Sequence, residues 1–136
     1  MLSFPTKRID FQILQNHIES VCEYINQQTP SSYTISAPTI QRSIRFTVYR
    51  DSNNQVIRVP VYHELSKKHK RKLNHIFPEQ TQEKFHHLFY NFFLVRELFI
   101  IMMETFQLSQ SYSNQWMREL IASLFTIQYS NDHQFV

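Results

Sequence analysis

The sequence predicts an α+β fold with about four helices and a small antiparallel β-hairpin. Three features predict it: an apolar face with helical spacing near the N-terminus, a period-two segment that ends in turn residues, and a long apolar run at residues 85–106. With 136 residues and 42% apolar content, the chain can bury one core. We therefore expect a single domain over residues 1–136, with a hairpin region at 39–62 and a two-helix core at 79–129.

Apolar residues near the N-terminus lie three and four positions apart, which is the spacing of one helical face. They are Phe11, Leu14, Ile18, Val21, Cys22 and Ile25. Asp10 can cap this helix, and Pro30 lies beyond its end. Residues 27–38 are rich in Ser, Thr and Pro and predict a loop, with a short strand at 33–35.

The middle of the chain predicts a hairpin. Ile44, Phe46 and Val48 alternate with more polar residues, which is the period of a strand. The sequence Asp-Ser-Asn-Asn at 51–54 supplies the turn, because Asn tolerates a positive φ where glycine is missing. Residues 56–61 return as the partner strand, and Pro60 predicts that the far end of this strand lies at an edge of the sheet.

Two signals start the next helices. Ser66 can cap a short basic helix that runs to Phe77. Pro78 suits the first turn of a long helix at about 79–106. The expected inner contacts of the basic helix are Leu65, Leu73, Ile76 and Phe77.

A polar loop at 107–113 is predicted to precede the last helix, which spans about 114–129 with Ser113 as its cap. This helix carries a set of large apolar side chains, and we expect it to help build the core. They are Trp116, Met117, Leu120, Ile121, Leu124 and Phe125.

The sequence contains no glycine, whereas an average usage of ~7% would give about nine. Walker and Rossmann loops, the Gly-flanked serine elbow and the EF-hand loop all need glycine, so the common nucleotide-binding enzymes are disfavoured. The single cysteine, Cys22, cannot form an internal disulfide and fits a reducing compartment. The two central charges of residues 85–106, Arg96 and Glu97, argue against a membrane span. We expect a soluble, cytoplasmic protein.

Arg96 and Glu97 interrupt an otherwise apolar run. A helix that is apolar on almost every face is normally enclosed by protein, and unpaired charges there cost several kcal/mol. Other groups must therefore meet these two side chains. One interpretation is that they reach opposite edges of the helix and pair with Glu104 or Arg118.

A second interpretation starts from Glu97 and Glu119, which lie on successive predicted helices. Zinc hydrolases place His-Glu-x-x-His on one helix, so that both imidazoles point the same way and the Glu acts as general base. A third ligand, often Glu, comes from the following helix. Here the window at 96–100 reads Arg-Glu-Leu-Phe-Ile, and Glu119 follows Ile100 by 19 residues.

This part of the chain resembles small gluzincin-type metallopeptidases. Residues 92–98 (FFLVREL) resemble the aromatic lead-in and helix of that family, and residues 119–125 (ELIASLF) resemble its second motif. The order of the preceding helix, the hairpin and Pro60-x-x-x-Glu64 is also similar, so the resemblance covers about 44–129. It implies a zincin-like helical core with Glu97 at the position of the general base.

Two residues depart from that family. Arg96 replaces the first His, and its guanidinium stays protonated (pKa above ~12) and offers no lone pair to zinc. Ile100 replaces the second His and has no donor atom. We therefore predict a degenerate site of Arg96, Glu97, Ile100 and Glu119 with no metal, cofactor or peptidase activity. In this hypothesis an Arg96–Glu119 salt bridge stands where the metal linkage would be.

The predicted function is that of a non-catalytic module that binds a peptide or protein. One alternative is a zinc peptidase with rearranged ligands from His63, His86 or His87. The other is an accessory protein that contacts nucleic-acid phosphates. The cations for such contacts, or for an acidic protein, are Lys67, Lys68, Lys70, Arg71 and Lys72. A solvated helix face also explains this basic segment, and nucleic acid is not the favoured partner.

Overall fold

The first helix begins and ends at the predicted signals. In the computed structural model, which describes residues 10–106 and 115–133, α1 spans Phe11–Gln28. The Asp10 carboxylate accepts a hydrogen bond from the Gln12 amide at 2.8 Å, which is an N-cap contact. Five residues of the predicted face are buried, and they are Leu14, Ile18, Val21, Cys22 and Ile25. The helical period therefore identified the inner face correctly.

A three-stranded mixed sheet follows, with β1 at Thr39–Arg42, β2 at Tyr49–Arg50 and β3 at Val56–Val59. The strand β3 is central, antiparallel to β2 and parallel to β1. The predicted hairpin is thus confirmed, and Asn54 in its turn has a φ of 57°. The prediction that the end of β3 lies at an edge is wrong, because β3 has a neighbour on each side and Pro60 follows its last residue.

The strand predicted from the alternation at 44–48 is also wrong, because only Tyr49–Arg50 pairs with β3. The Ser43 hydroxyl accepts from the Arg45 amide at 2.9 Å and donates to the Arg45 carbonyl oxygen at 3.0 Å. Such local bonds compete with strand pairing. The chain bends here, and the side chain of Ile44 is fully exposed.

The short strand predicted at 33–35 does not form either. The Asn26 side chain bonds both backbone groups of Ile35, donating to its carbonyl oxygen at 3.0 Å and accepting from its amide at 2.9 Å. These are the groups that a strand would offer to a neighbour. A side chain of α1 therefore replaces the missing strand partner.

The basic helix α2 spans Lys67–Ile76 after a single 3₁₀ turn at Tyr62–Glu64. The Ser66 hydroxyl accepts from the His69 amide at 3.2 Å, so the predicted cap is confirmed. Leu73 is buried as expected, whereas Ile76 is 63% exposed and is not an inner contact.

The long helix predicted at 79–106 is present at 81–105, and it changes type along its length. It comprises α3 at Thr81–His86, a π-helical segment at His87–Phe93 and α4 at Leu94–Thr105. In the π segment the Leu94 amide bonds to the carbonyl oxygen of Phe89, five residues earlier. Pro78 lies three positions before the helix start at Thr81, because Gln80 has a left-handed backbone with a φ of 53°.

The last helix, α5, spans Gln115–Asp132. The predicted loop at 107–113 and the cap Ser113 lie outside the described residues. Only Ala122, Thr126 and Tyr129 of α5 are buried among its described side chains. Most of the apolar residues expected to build the core from this helix therefore lie toward solvent.

The core lies where α1, the sheet and the long helix meet, and α5 packs on α4. The largest fully buried side chains include Tyr90, Phe85, Leu14, Ile18, Ile57 and Leu98. Across the described ranges, no helix has the length and apolar content needed to cross a bilayer. The architecture is α+β, as the sequence predicts.

Candidate functional site

A cleft with a volume of about 440 Å³ opens between the β2–β3 turn, α4 and α5. Three residues of the predicted degenerate site, Glu97, Ile100 and Glu119, line this cleft together. Its other described lining residues are Tyr49, Arg50, Asp51, Ser52, Asn54, Glu104, Gln115 and Arg118. Two carboxylates from successive helices therefore lie in one cavity.

Arg50 is the cation that meets Glu97. It extends from β2, and its Nη1 donates to Glu97 Oε2 at 2.8 Å, while its Nη2 donates to Glu104 Oε1 at 2.7 Å. The Glu97 side chain is 9% exposed and that of Arg50 is 25% exposed. One guanidinium thus bridges two carboxylates that lie seven residues apart on α4, and charge-assisted bonds of this length are strong.

Two further side chains hold this bridge in place. Arg50 Nε donates to Asn54 Oδ1 at 3.0 Å, and Asn54 Nδ2 donates to Glu104 Oε2 at 2.8 Å. Arg118 of α5 reaches Glu104 Oε1 at 3.5 Å. The left-handed turn residue therefore joins the sheet to α4 as well as reversing the chain.

Burial raises the pKa of Glu97 above its ordinary value, and the neighbouring Glu119 adds to that rise. The hydrogen bond and charge of Arg50, together with the charge of Arg96, act in the opposite direction. The desolvation of the carboxyl outweighs the attraction of the cations. Proton uptake at Glu97 is therefore favoured by the fold.

The predicted Arg96–Glu119 salt bridge is wrong. Among the described residues, no ion pair joins Arg96 to Glu119, and the Arg96 guanidinium lies over the ring of Phe93 at 4.9 Å. Consecutive residues of an α-helix point about 100° apart, so Arg96 cannot share the direction of Glu97. Glu119 instead accepts from Gln115 on its own helix at 3.3 Å.

Arg96 and Glu97 instead point to different sides of the helix, as the other interpretation predicts. That interpretation did not name Arg50 as the partner of Glu97. Arg50 lies 47 residues before Glu97, so no local spacing connects them. A weak signal was present, because Arg50 ends the strand that leads into the Asp51–Asn54 turn. A strand end beside a buried carboxylate is a suitable position for its counter-charge.

The histidines proposed as rearranged zinc ligands lie on another part of the molecule. His86 is buried and stacks on Tyr90 at 5.1 Å, whereas His63 and His87 are exposed. His63 contacts Gln82 at 3.1 Å and His87 contacts Asn91 at 2.9 Å. Within the residues that the structure describes, no group of three or more His, Cys, Asp or Glu side chains is arranged to hold a metal ion.

The basic segment forms an exposed face of α2, apart from the cleft. Lys67, Lys68, Arg71 and Lys72 are exposed. Lys70 instead turns back to donate to the His63 carbonyl oxygen at 3.3 Å and lies 5.7 Å from the ring centre of Tyr62. Four of the five predicted cations are thus available to solvent.

Two half-buried or buried histidines make stability depend on pH. Burial lowers the pKa of His86 to about 4, with the charges of His63 and His87 acting in the same direction, and burial likewise lowers the pKa of His17 to about 4. An unfolded histidine titrates near 6.5. Between those values the unfolded chain binds more protons, so stability is lost as the pH falls from about 6.5 toward 4.

We expect the melting temperature to decrease across that interval, and we expect His86→Gln to flatten the decrease. Melts of the variant and wild type at a series of pH values test this. His75→Gln, which changes an exposed histidine, should keep the wild-type slope. Equal slopes for His86→Gln and wild type would contradict the prediction.

No protein-family model, curated protein or solved structure matches this chain. The function is therefore inferred from the side chains of the cleft.

Proposed function

We propose that this chain is a non-catalytic, metallopeptidase-like domain that binds a peptide or protein in the cleft between the β2–β3 turn, α4 and α5. The observation that carries the proposal is the meeting of Glu97, Ile100 and Glu119 in one cavity around the Arg50 guanidinium. The carboxylates lie on successive helices, as in the metallopeptidases that the sequence resembles. The centre of the arrangement is a side-chain cation.

The chemistry of the cleft supports binding rather than hydrolysis. Ile100, at the position of the second His, has no donor atom, and Arg96, at the position of the first, lies over Phe93. Arg50 already neutralises Glu97 and Glu104 through bonds of 2.8 and 2.7 Å. Although burial raises its pKa, a carboxylate held in such a bridge is a poor general base, because the guanidinium already occupies the oxygen lone pair that would accept a proton.

The size and polarity of the cleft suit a peptide segment. Ligand clefts are typically about 300–1,000 Å³, and this cavity of about 440 Å³ lies in that range. Its lining offers guanidinium donors from Arg50 and Arg118 and carboxylate acceptors from Glu97 and Glu119. A peptide backbone needs both kinds of partner.

The turn provides a matched pair of substitutions for a binding test. Ser52 and Asn53 are adjacent and exposed, but only Ser52 lines the cleft. Peptides would be selected from a phage-displayed random library on the immobilised full chain, and their affinity measured by fluorescence anisotropy. We expect Ser52→Trp to weaken the selected peptides by about tenfold or more, equal to ~1.4 kcal/mol.

Asn53→Trp is the control and should leave the affinity unchanged. Equal losses in the two variants would place the peptide elsewhere, and a library without enriched binders would contradict the proposal. The zinc-peptidase alternative has its own readout. Near-stoichiometric zinc in the purified protein, lost on replacement of His63 or His87, would favour that enzyme.

The proposed setting is the cytoplasm, because Cys22 is buried in the face of α1 and no other cysteine is present for a disulfide. The exposed cations of α2 are proposed as a secondary contact for an acidic partner. Binding of random-sequence DNA that weakens with added salt would instead support the nucleic-acid alternative.

A further inference from the structure

A stripe of large apolar side chains on α5 lies toward solvent. Trp116 is 59% exposed, Leu120 49%, Leu124 56% and Ile127 48%. Their spacings of four, four and three residues put them on one helical face. Such a regular face on the last helix is the pattern of a helix that packs against another helix.

The stripe is one continuous apolar patch, unlike the scattered apolar side chains that are common on protein surfaces. Its four side chains each leave roughly 100 Å² uncovered, or about 400 Å² in all. A standard interface buries about 800 Å² per partner. The stripe supplies about half of that area, and an apolar groove at its end and its polar margins supply the remainder.

An apolar groove continues the stripe at the C-terminal end of α5. It has a volume of about 480 Å³ and includes Ile127 of the stripe together with Phe77, Leu88 and Phe92 from the α2–α3 connection and the π segment. Trp116, at the other end of the stripe, lies about 16 Å from Ile127, because the two positions are 11 residues apart on the helix. One face thus carries both a ridge and a hollow.

The charge pattern permits this face to meet a copy of itself. Between Glu119 and Asp132, α5 has no charged residue. Like charges therefore do not oppose one another when two such segments pack together. Depletion of charge and enrichment in Trp are typical of the centre of an interface.

We propose that the α5 face binds the α5 face of a second copy of this chain in an antiparallel, two-fold arrangement. With the axis near residue 122, Leu120 lies opposite Leu124 of the second copy. Trp116 of each copy then enters the groove beside Ile127 of the other. The interface is isologous, since each copy supplies the same ridge and the same hollow.

Light scattering coupled to size-exclusion chromatography tests this proposal on the full chain. We expect wild type at about 50 μM to have twice the monomer mass of 16.5 kDa. Leu124→Glu or Leu120→Lys buries an unpaired charge at two symmetric contacts and should weaken the dimer by on the order of 100-fold. Circular dichroism melts would show that these half-exposed positions leave the fold intact.

A charge exchange tests the register. An equal mixture of Leu120→Lys and Leu124→Glu chains should recover the dimeric mass, because the antiparallel arrangement places the two new charges together. Ile76→Glu, which adds a charge to an exposed apolar residue of α2, should remain dimeric. A monomeric wild type, an unchanged mass for both single variants, or a mixture that stays monomeric would each overturn the proposal.

Discussion

Replacing Arg50 with methionine is expected to lower the free energy of unfolding by about 3 kcal/mol and the melting temperature by roughly 10 °C. The variant leaves Glu97 buried without the cation that bonds it at 2.8 Å. Removing one member of a buried pair costs 3–5 kcal/mol, and the 25% exposure of Arg50 favours the lower end of that range. Thermal and urea denaturation measure the loss.

A second substitution, Glu97→Leu, tests whether the unpaired Glu97 carboxylate causes this loss of stability. Glu97→Leu alone should cost less, because Arg50 keeps its 2.7 Å bond to Glu104. Added to Arg50→Met, it should recover about 2 kcal/mol by removing the uncompensated carboxylate. Strictly additive losses would contradict the pairing.

The pH dependence of Arg50→Met gives an independent readout. Without Arg50 the pKa of Glu97 rises further above its ordinary value, since burial is then less opposed. A raised carboxyl pKa gives stability that is present at low pH and lost as the pH rises through it. The deficit of the variant relative to wild type should therefore be smaller at acidic than at neutral pH.

Arg42→Met is the matched control for Arg50→Met. Arg42 pairs with Glu64 at 3.1 Å, but the two side chains are 55% and 34% exposed. Exposed pairs contribute less than about 1 kcal/mol. The same chemical change should thus have a small effect on the surface and a large one in the cleft.

Replacing Phe85 with alanine should cost about 3–4 kcal/mol. The ring is fully buried and stacks on Phe89 with centroids 4.5 Å apart, and it also contacts Tyr62 and Tyr90. The surrounding rings are fixed by their own contacts, so the cavity should not collapse. Denaturant unfolding measures the loss as a shift of the midpoint at constant slope.

Phe92→Ala on the same helix is the control for that substitution. The Phe92 side chain is only partly buried, so less apolar area and a smaller cavity are involved. A cost of about 1–2 kcal/mol is expected. Equal losses of stability for Phe85→Ala and Phe92→Ala would contradict the expectation that the more buried side chain contributes more.

The elements set by local rules could be predicted from the sequence. The face of α1 follows from its period, and the hairpin turn follows from the tolerance of Asn54 for a positive φ. The cap of α2 follows from Ser66. Each of these depends on residues within a few positions of one another.

The elements set by contacts between distant segments were missed. The strand β1 pairs in parallel with β3, 17 residues later, and neither alternation nor a turn signals such pairing. The alternation at 44–48 predicted a strand, but the side-chain bonds of Ser43 bend the chain. At this position, the two hydrogen bonds of one side chain outweigh the strand that the alternating pattern predicts.

The candidate site could be predicted only in part, because its central cation comes from a distant segment of the chain. Glu97, Ile100 and Glu119 belong to α4 and α5, whose periods are readable, and they meet in one cleft. The resemblance assigns the role of the cation to Arg96, because Arg96 stands at the position of the first His of the zinc motif. The actual cation, Arg50, comes from the sheet, and its position at the end of a strand is only a weak signal of that role in the sequence.

The π segment sets the angular phase of α4. A π turn holds one more residue than an α turn, and one residue corresponds to about 100° of rotation. If the segment lost one residue and became regular α-helix, α3 would still pack in the aromatic core. The α4 helix would then be rotated about its axis by about 100°. Glu97 would then swing away from the sheet. The extra residue of the π turn, which ends four positions before Glu97, thus sets the direction of the carboxylate.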